Sequence, residues 1–143
     1  MLPPVSVQRV LETCLYVDDL DQAEKFYSDL FGFELYGKQK ERHVFFHCGE
    51  GMLLLFNARE TQKANHGFPP HGATGPMHVA FEIDESLIPA WKERLNQKGI
   101  SIEQEIIRPH GGHSIYFRDP SGNSIELATA SLWKAQKKNL QLT

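Results

Sequence analysis

Three ionisable residues occupy positions where an apolar strand pattern should exclude them. Glu126 lies in SIYFRDPSGNSIELAT (residues 114–129), between Ile125 and Leu127. A carboxylate inside such a run is costly unless something binds it. His78 falls at the start of MHVAFEI (77–83), and Glu12 at the start of LETCLYV (11–17). One imidazole and two carboxylates are a ligand set for a divalent cation if the fold brings them to one point. Carboxylates beside such a cation can also accept a substrate proton, which makes Glu12 and Glu126 the candidate catalytic bases. Taken singly, each has a plainer reading: Glu126 as an edge-strand residue, His78 as a satisfied core histidine, Glu12 as a solvated charge.

What ties the three together is an internal duplication. The strand pattern at 11–17 is followed by Asp18-Asp19, a helix-capping pair, and then by Leu20, Ala23, Phe26, Tyr27 and Leu30 at helical spacing, with Gly32 placed to end the helix. The strand pattern at 77–83 is followed by Asp84, by Leu87, Ile88, Trp91 and Leu95 at helical spacing, and by Gly99. Asp18 and Asp84 stand 66 residues apart, Gly32 and Gly99 67 apart. Apolar segments then follow in threes, at 33–36, 43–48 and 52–57 in the first half and at 100–107, 113–118 and 124–128 in the second. Each half reads strand, helix, three strands. The expected organisation is a first βαβββ module over 8–57, a connecting loop over 58–76 marked by HGFPPHGATGP, a second module over 77–130 and a tail over 131–143.

The 66-residue offset sets Glu12 against His78. Matching Gly51 to Gly122, 71 residues apart, sets Leu55 against Glu126. Four equivalent positions are thus expected to face the centre of the duplicated fold, and three of them carry metal-binding side chains.

Other polar residues are placed by strand parity. Cys14 shares the parity of Glu12 and is a candidate for substrate contact, although a small buried thiol needs no special role. Ser114 and Tyr116 alternate with Ile115 and Phe117, so they either touch a substrate or face solvent. His43 and His47 share one side of their strand, and His113 has the parity opposite to Ser114. His66 and His71 read as exposed in the connecting loop, whose length hints at a lid. Trp133, Leu132, Leu140 and Leu142 suggest a short amphipathic helix in the tail.

Bulk properties narrow the class. At 143 residues the chain has the size of one domain able to bury its own core. With 41% hydrophobic and 23% charged residues and a net charge of −3, nothing argues for nucleic acid or an anionic membrane as partner. No apolar run approaches the roughly 20 residues needed to span a bilayer. The opening MLPPVSVQRV has neither the basic nor the apolar region of a signal peptide. Cys14 and Cys48 lack metal-type spacing and read as free thiols, so a cytoplasmic location is expected.

The βαβββ duplication, the stretch LYVDDLDQAEKFYSDLFGF (15–33) and the segment YFRDPSGNSIEL (116–127) resemble the vicinal oxygen chelate superfamily. Its members include glyoxalase I, fosfomycin-modifying enzymes, extradiol dioxygenases and bleomycin resistance proteins, and the resemblance runs over residues 9–130. It implies an α+β fold in which two tandem modules form a half-open, barrel-like sheet around one divalent metal ion (Mn, Mg, Ni, Zn or Fe). His78 matches the family's second-module histidine and Glu126 its terminal glutamate. Glu12 falls where relatives carry His or Gln, and Leu55 where glyoxalase I has a fourth ligand. Oxygen-rich ligation favours Mn or Mg over soft-ligand metals. In the fosfomycin enzymes, the positions matching Ser114 and Tyr116 touch the substrate. The implied activity is lyase, isomerase or epoxide-opening chemistry on a small molecule chelated through neighbouring oxygens, by a homodimer. The bleomycin-resistance members imply an alternative, a metal-free binding protein.

Overall fold

The computed structural model describes residues 3–64 and 67–134. The first module comprises β1 (Glu12–Tyr16), α1 (Leu20–Phe31), β2 (Leu35–Gln39), β3 (His43–Cys48) and β4 (Gly51–Phe56). A short helix, α2 (Ala58–Thr61), opens the connector. The second module comprises β5 (His78–Glu82), a 3₁₀ turn (Glu85–Leu87) running into α3 (Ile88–Gln97), β6 (Gln104–Ile107), β7 (His113–Arg118) and β8 (Ser124–Ala128). One further turn of helix, α4 (Ser131–Lys134), holds Leu132 buried and Trp133 exposed. Leu140 and Leu142 of the expected tail helix, like His66, lie outside the described residues. No helix among the described residues is long and apolar enough to cross a membrane.

Capping chemistry sets the helix limits. The Asp19 side chain accepts from the backbone N–H of Gln22 at the start of α1, and Gly32 ends the helix at φ 68°, a conformation that a β-carbon would strain. Between these caps Ala23, Tyr27 and Leu30 recur at helical spacing and are buried.

Each module builds its own four-stranded mixed sheet, in the order β1-β4-β3-β2 and β5-β8-β7-β6, with the first and last strand of each module parallel and the other pairs antiparallel. Among the described residues the strands hydrogen-bond only within their own module, and no closed barrel forms. The two sheets present one face each to a single continuous core. Leu15, Leu53, Leu55, Val44 and Phe46 of the first module meet Ile115, Phe117, Ile125 and Leu127 of the second. Phe31 bridges them, with its ring 5.0 Å from that of Phe81 and 6.3 Å from that of Phe117. The opposite face of each sheet carries the residues with chemistry.

The register corrects one expectation. Glu12 pairs with Met52 and Cys14 with Leu54, while His78 pairs with Ser124 and Ala80 with Glu126. The counterpart of Glu126 is therefore Leu54, not Leu55. Leu55 is wholly buried in the core. A one-residue slip sends a strand side chain to the other face, and the glycine-to-glycine match made that slip.

One buried polar knot joins the modules. The Tyr27 hydroxyl of α1 donates to Asp119 Oδ2 at 2.8 Å, and the backbone N–H groups of Ser121 and Asn123 donate to Asp119 Oδ1 at 3.0 and 2.8 Å. Burial first, and then the Asp119 charge, push the Tyr27 phenol well above its ordinary range, so it remains a donor. Tyr27→Phe should cost about 1–2 kcal/mol, the worth of one hydrogen bond to a charged group. Asp119→Ala, which strands several buried donors, should cost about 3 kcal/mol or more. Urea unfolding at neutral pH measures both; a Tyr27→Phe loss exceeding that of Asp119→Ala would contradict the assignment.

Candidate functional site

Glu126 and His78 come together on the open face of the second module. Glu126 sits on the second strand from the edge, flanked by Ala80 on β5 and Tyr116 on β7, and only 6% of it is exposed. His78 Nε2 lies 3.3 Å from Glu126 Oε1. The other ring nitrogen, Nδ1, lies 3.0 Å from the carbonyl oxygen of Ser124. A carbonyl can only accept, so Nδ1 carries a proton and, in the neutral ring, Nε2 presents its lone pair. With the ring neutral, a lone pair and a buried carboxylate oxygen face one another, and either a proton on Nε2 or a divalent cation between the two satisfies that arrangement.

The spacing fits a metal ion. Two cis ligand atoms, each about 2.1 Å from a common ion, stand roughly 3.0–3.4 Å apart, and the Nε2–Oε1 separation of 3.3 Å falls in that interval. Hydrogen bonding from the second ring nitrogen to a carbonyl is the usual way a ligating imidazole is held in orientation.

Ser114 and Tyr116 share this face. The Tyr116 ring stacks near the His78 ring, with centroids 6.4 Å apart. Ser114 is wholly buried and accepts from an Arg108 guanidinium N–H at 2.9 Å. His113, of opposite parity as expected, turns to the helix side and meets Glu105 at 2.7 Å.

Glu12 occupies a different place. It starts β1 on the open face of the first module, beside a cleft of about 190 Å³ whose far wall is Val79, Ala80 and Phe81 of β5. Among the described residues no group of three His, Cys, Asp or Glu side chains is gathered closely enough to hold one metal ion. Within a single chain the structure thus pairs His78 with Glu126, and Glu12 does not join them.

Cys14 shares the face of Glu12, as parity predicts, and lies against Leu54. Burial raises the Cys14 thiol above its ordinary range, with the Glu12 charge adding to the rise and a hydrogen bond with Tyr16 opposing it. Its neutral form is the one present near pH 7, which suits a packing role better than a nucleophilic one.

The open face of the first module also carries a large apolar cavity of about 800 Å³, reached by Glu12 and Arg42 and lined by Phe45, Phe56 and Phe68 among others. His43 and His47 do lie on this side of β3. His71, expected to be exposed, is instead half-buried. Its Nδ1 meets the Tyr16 hydroxyl at 2.5 Å, and its ring lies 4.8 Å from that of Phe56. Sequence reasoning missed Arg42, which reads as an ordinary turn charge, and Phe68, which lies in a loop of turn formers. The hint was the length of that loop, whose Phe68-Pro69-Pro70-His71 segment folds over the sheet.

The architecture, two βαβββ modules with an imidazole–carboxylate pair on the second, defines a glyoxalase-type protein. The profile of the Glyoxalase/Bleomycin resistance protein/Dioxygenase superfamily matches residues 9–127, and the chain belongs to that superfamily. It is 30% identical to the metallothiol transferase FosB of Bacillus licheniformis over 82% of this chain and 72% of that protein. To the glutathione transferase FosA of Serratia marcescens it is 28% identical, over 88% of this chain and 84% of that one. Among solved structures, the lactoylglutathione lyase of Agrobacterium tumefaciens superposes with a TM-score of 0.85 at 43% identity, covering 89% of this chain and 97% of that one.

Burial also raises the Cys48 thiol. Alkylation of the native protein by iodoacetamide should therefore be slow at pH 7.5 and rise with a midpoint above the ordinary thiol range of about 8.5. The Cys48→Ser variant, read by mass spectrometry, isolates Cys14; a Cys14 midpoint below that range would show an activated thiolate instead.

Proposed function

We propose that the chain is a divalent-metal-dependent enzyme of the glyoxalase type, acting on a small oxygenated molecule chelated through two neighbouring oxygens. The observation that carries this reading is the Nδ1–H of His78 tied to the Ser124 carbonyl, which sets the Nε2 lone pair against the buried Glu126 carboxylate. His78 and Glu126 are the two ligands of one chain in this reading, and Glu12 of a second copy is the third, in a homodimer. A second copy answers the separation of Glu12 from the other two. It also gives a partner to the exposed apolar residues of the amino-terminal segment, where Val5 and Val7 are about nine-tenths exposed.

The chain's own residues suit such a reaction. Ser114 is wholly buried and would act on a substrate through Arg108, which donates to its Oγ. The Tyr116 hydroxyl, without a hydrogen-bond partner among the described residues, can donate to a substrate oxygen. Glu12 and Glu126 are the carboxylates positioned to accept a proton from the substrate. A bound divalent ion would supply Lewis-acid stabilisation of negative charge developing on a chelated oxygen. The relatives' names, metallothiol transferase, glutathione transferase and lactoylglutathione lyase, support a transferase or lyase reaction on a small molecule. The counterpart of Glu126 in the first module is apolar (Leu54), so a set of three protein ligands is favoured over four. The apolar cavity favours a second reading, a binding protein without metal, and metal content separates the two.

Protein purified without chelator should carry about one divalent ion per chain by elemental analysis, and His78→Ala should carry almost none. Full stoichiometry in His78→Ala would refute the ligand assignment. The sharing of ligands between chains has its own check. Glu12→Ala and His78→Ala proteins, each metal-depleted, should recover about a quarter of an ion per chain when mixed and allowed to exchange subunits, because only mixed dimers regain one intact site. No recovery, with exchange verified by mass, would place all the ligands in one chain.

A further inference from the structure

Arg42 is a buried cation without an anion. Its residue exposure is 9%, and among the described residues no carboxylate lies within ion-pair reach of it. Its guanidinium carbon lies 5.6 Å from the ring centre of Phe56 and 5.8 Å from that of Phe68. Its one side-chain hydrogen-bond partner among the described residues is His43, whose Nδ1 lies 2.7 Å from a guanidinium nitrogen. Two ring faces and one imidazole leave most of its five donors unanswered, and burying a permanent charge in this way is unfavourable unless something else completes it.

The chain holds Arg42 there at a local cost. Glu41, immediately before it, is the one non-glycine among the described residues with positive φ, at 68°. The Asn57 side chain donates to the Glu41 carbonyl at 2.8 Å, and the Asn57 backbone N–H donates to the Arg42 carbonyl at 2.9 Å. A strained turn clamped on both sides points this guanidinium inward, to the cavity of about 800 Å³ on the open face of the first module. The Arg42 N–H donates to His43 Nδ1, so His43 Nε2 is the N–H of that ring and a second donor beside the guanidinium. Burial first, and then the Arg42 charge, hold His43 below the usual histidine range and thus neutral. The other titratable groups of the cavity are Glu12, Tyr36 and His71.

We infer that this cavity is a receptor for a ring-bearing organic carboxylate, with Arg42 as its anion-binding group and Phe45, Phe56 and Phe68 enclosing its apolar body. The size decides between substrate classes. A three-carbon molecule would fill a small fraction of a cavity within the range of about 300–1,000 Å³ that holds drug-sized ligands. The aromatic lining suits a ring, and the planar fork of Arg42 suits a carboxylate, which it can grip with two parallel hydrogen bonds. As a statement about substrate class this rests on the metalloenzyme reading above; as a statement about binding it stands apart from the metal.

Calorimetric titration of the full chain as purified tests it, with 3-phenylpropionate, its neutral amide 3-phenylpropanamide, and inorganic phosphate as probes. The carboxylate should bind at least about tenfold tighter than the amide, as a charge-assisted contact in a dry site requires, and phosphate should bind more weakly than either. Arg42→Met should bring acid and amide within about twofold of each other. Phe68→Ala, at an exposed ring, should weaken both alike and keep their ratio. Equal binding of acid and amide by the wild type, an unchanged ratio in Arg42→Met, or phosphate binding as tight as the acid would each overturn the inference. Should Arg42→Met fail to fold, the wild-type ratio decides, with Arg42→Lys as the second variant: it keeps the charge, loses the fork and should lose most of the preference. Metal content is measured on the same wild-type sample. A chain without metal that keeps the preference sinks the metal reading alone, and a metal-loaded chain without the preference sinks this one alone.

Discussion

The carboxylate of Asp119 governs where everything else sits. It is buried in the turn between β7 and β8, and its two oxygens accept from Tyr27, Ser121 and Asn123. Asn123 extends the network in three directions. Its amide nitrogen donates to Asp119 Oδ2 and to the carbonyl of Tyr16, both at 3.0 Å, and its amide oxygen accepts from the N–H of Met77 at 2.9 Å. One turn therefore grips the end of β1, the middle of α1 and the start of β5. Met77 immediately precedes His78, and Asn123 lies three residues before Glu126. The strands that carry His78 and Glu126 are aligned by this network, because the Ser124 N–H donates to the Met77 carbonyl at 2.8 Å while the Ser124 carbonyl holds the His78 ring. A fully satisfied buried charge is tolerable, and here it fixes the register on which the His78–Glu126 contact depends.

Much of this could be read from residue order. Two tandem copies of strand, helix and three strands follow from apolar periodicity and from the aspartate and glycine that bracket each helix, and the spans 43–48, 113–118 and 124–128 coincide with β3, β7 and β8. Parity grouped Ser114 with Tyr116, and Cys14 with Glu12; the pairing of Tyr116 with Glu126 is what the sheet adds. What failed was alignment between the copies inside a strand. The turns before β4 and β8 differ in geometry, so matching Gly51 to Gly122 displaced the comparison by one residue and chose Leu55 over Leu54. Parity is a local property that sequence carries well. Register is set by which carbonyl meets which N–H across the sheet, and no single strand contains that information.

Arg42 and His71 were illegible for a related reason. Each lies at a turn or loop, where charge and polarity are the default, and only the three-dimensional return of the connector over the first sheet turns them inward. The strained φ of Glu41 belongs to the same class. A glutamate carries no sequence signal for the left-handed region, and its conformation there is imposed by the Asn57 clamp.

The two copies have diverged in complementary directions. Where the second module presents Ala80, Glu126 and Tyr116 across its open face, the first presents Cys14, Leu54 and Phe45 at the corresponding register. One face carries the polar His78–Glu126 pair and the other a ring-lined wall. If the faces meet between two chains as proposed, a charged centre at the edge of one would be closed over by the apolar surface of the other. Excluding water in that way lowers the local dielectric, so each charge–charge and charge–dipole interaction at the His78–Glu126 pair would act with less screening than at an open surface. Neither face alone reaches that condition: the polar one is half solvated, with 51% of the His78 side chain exposed, and the apolar one has no ligand pair. The division of labour between the copies thus gives a physical reason for the duplication to be used in pairs, because the chemistry suits one surface and the exclusion of solvent suits the other.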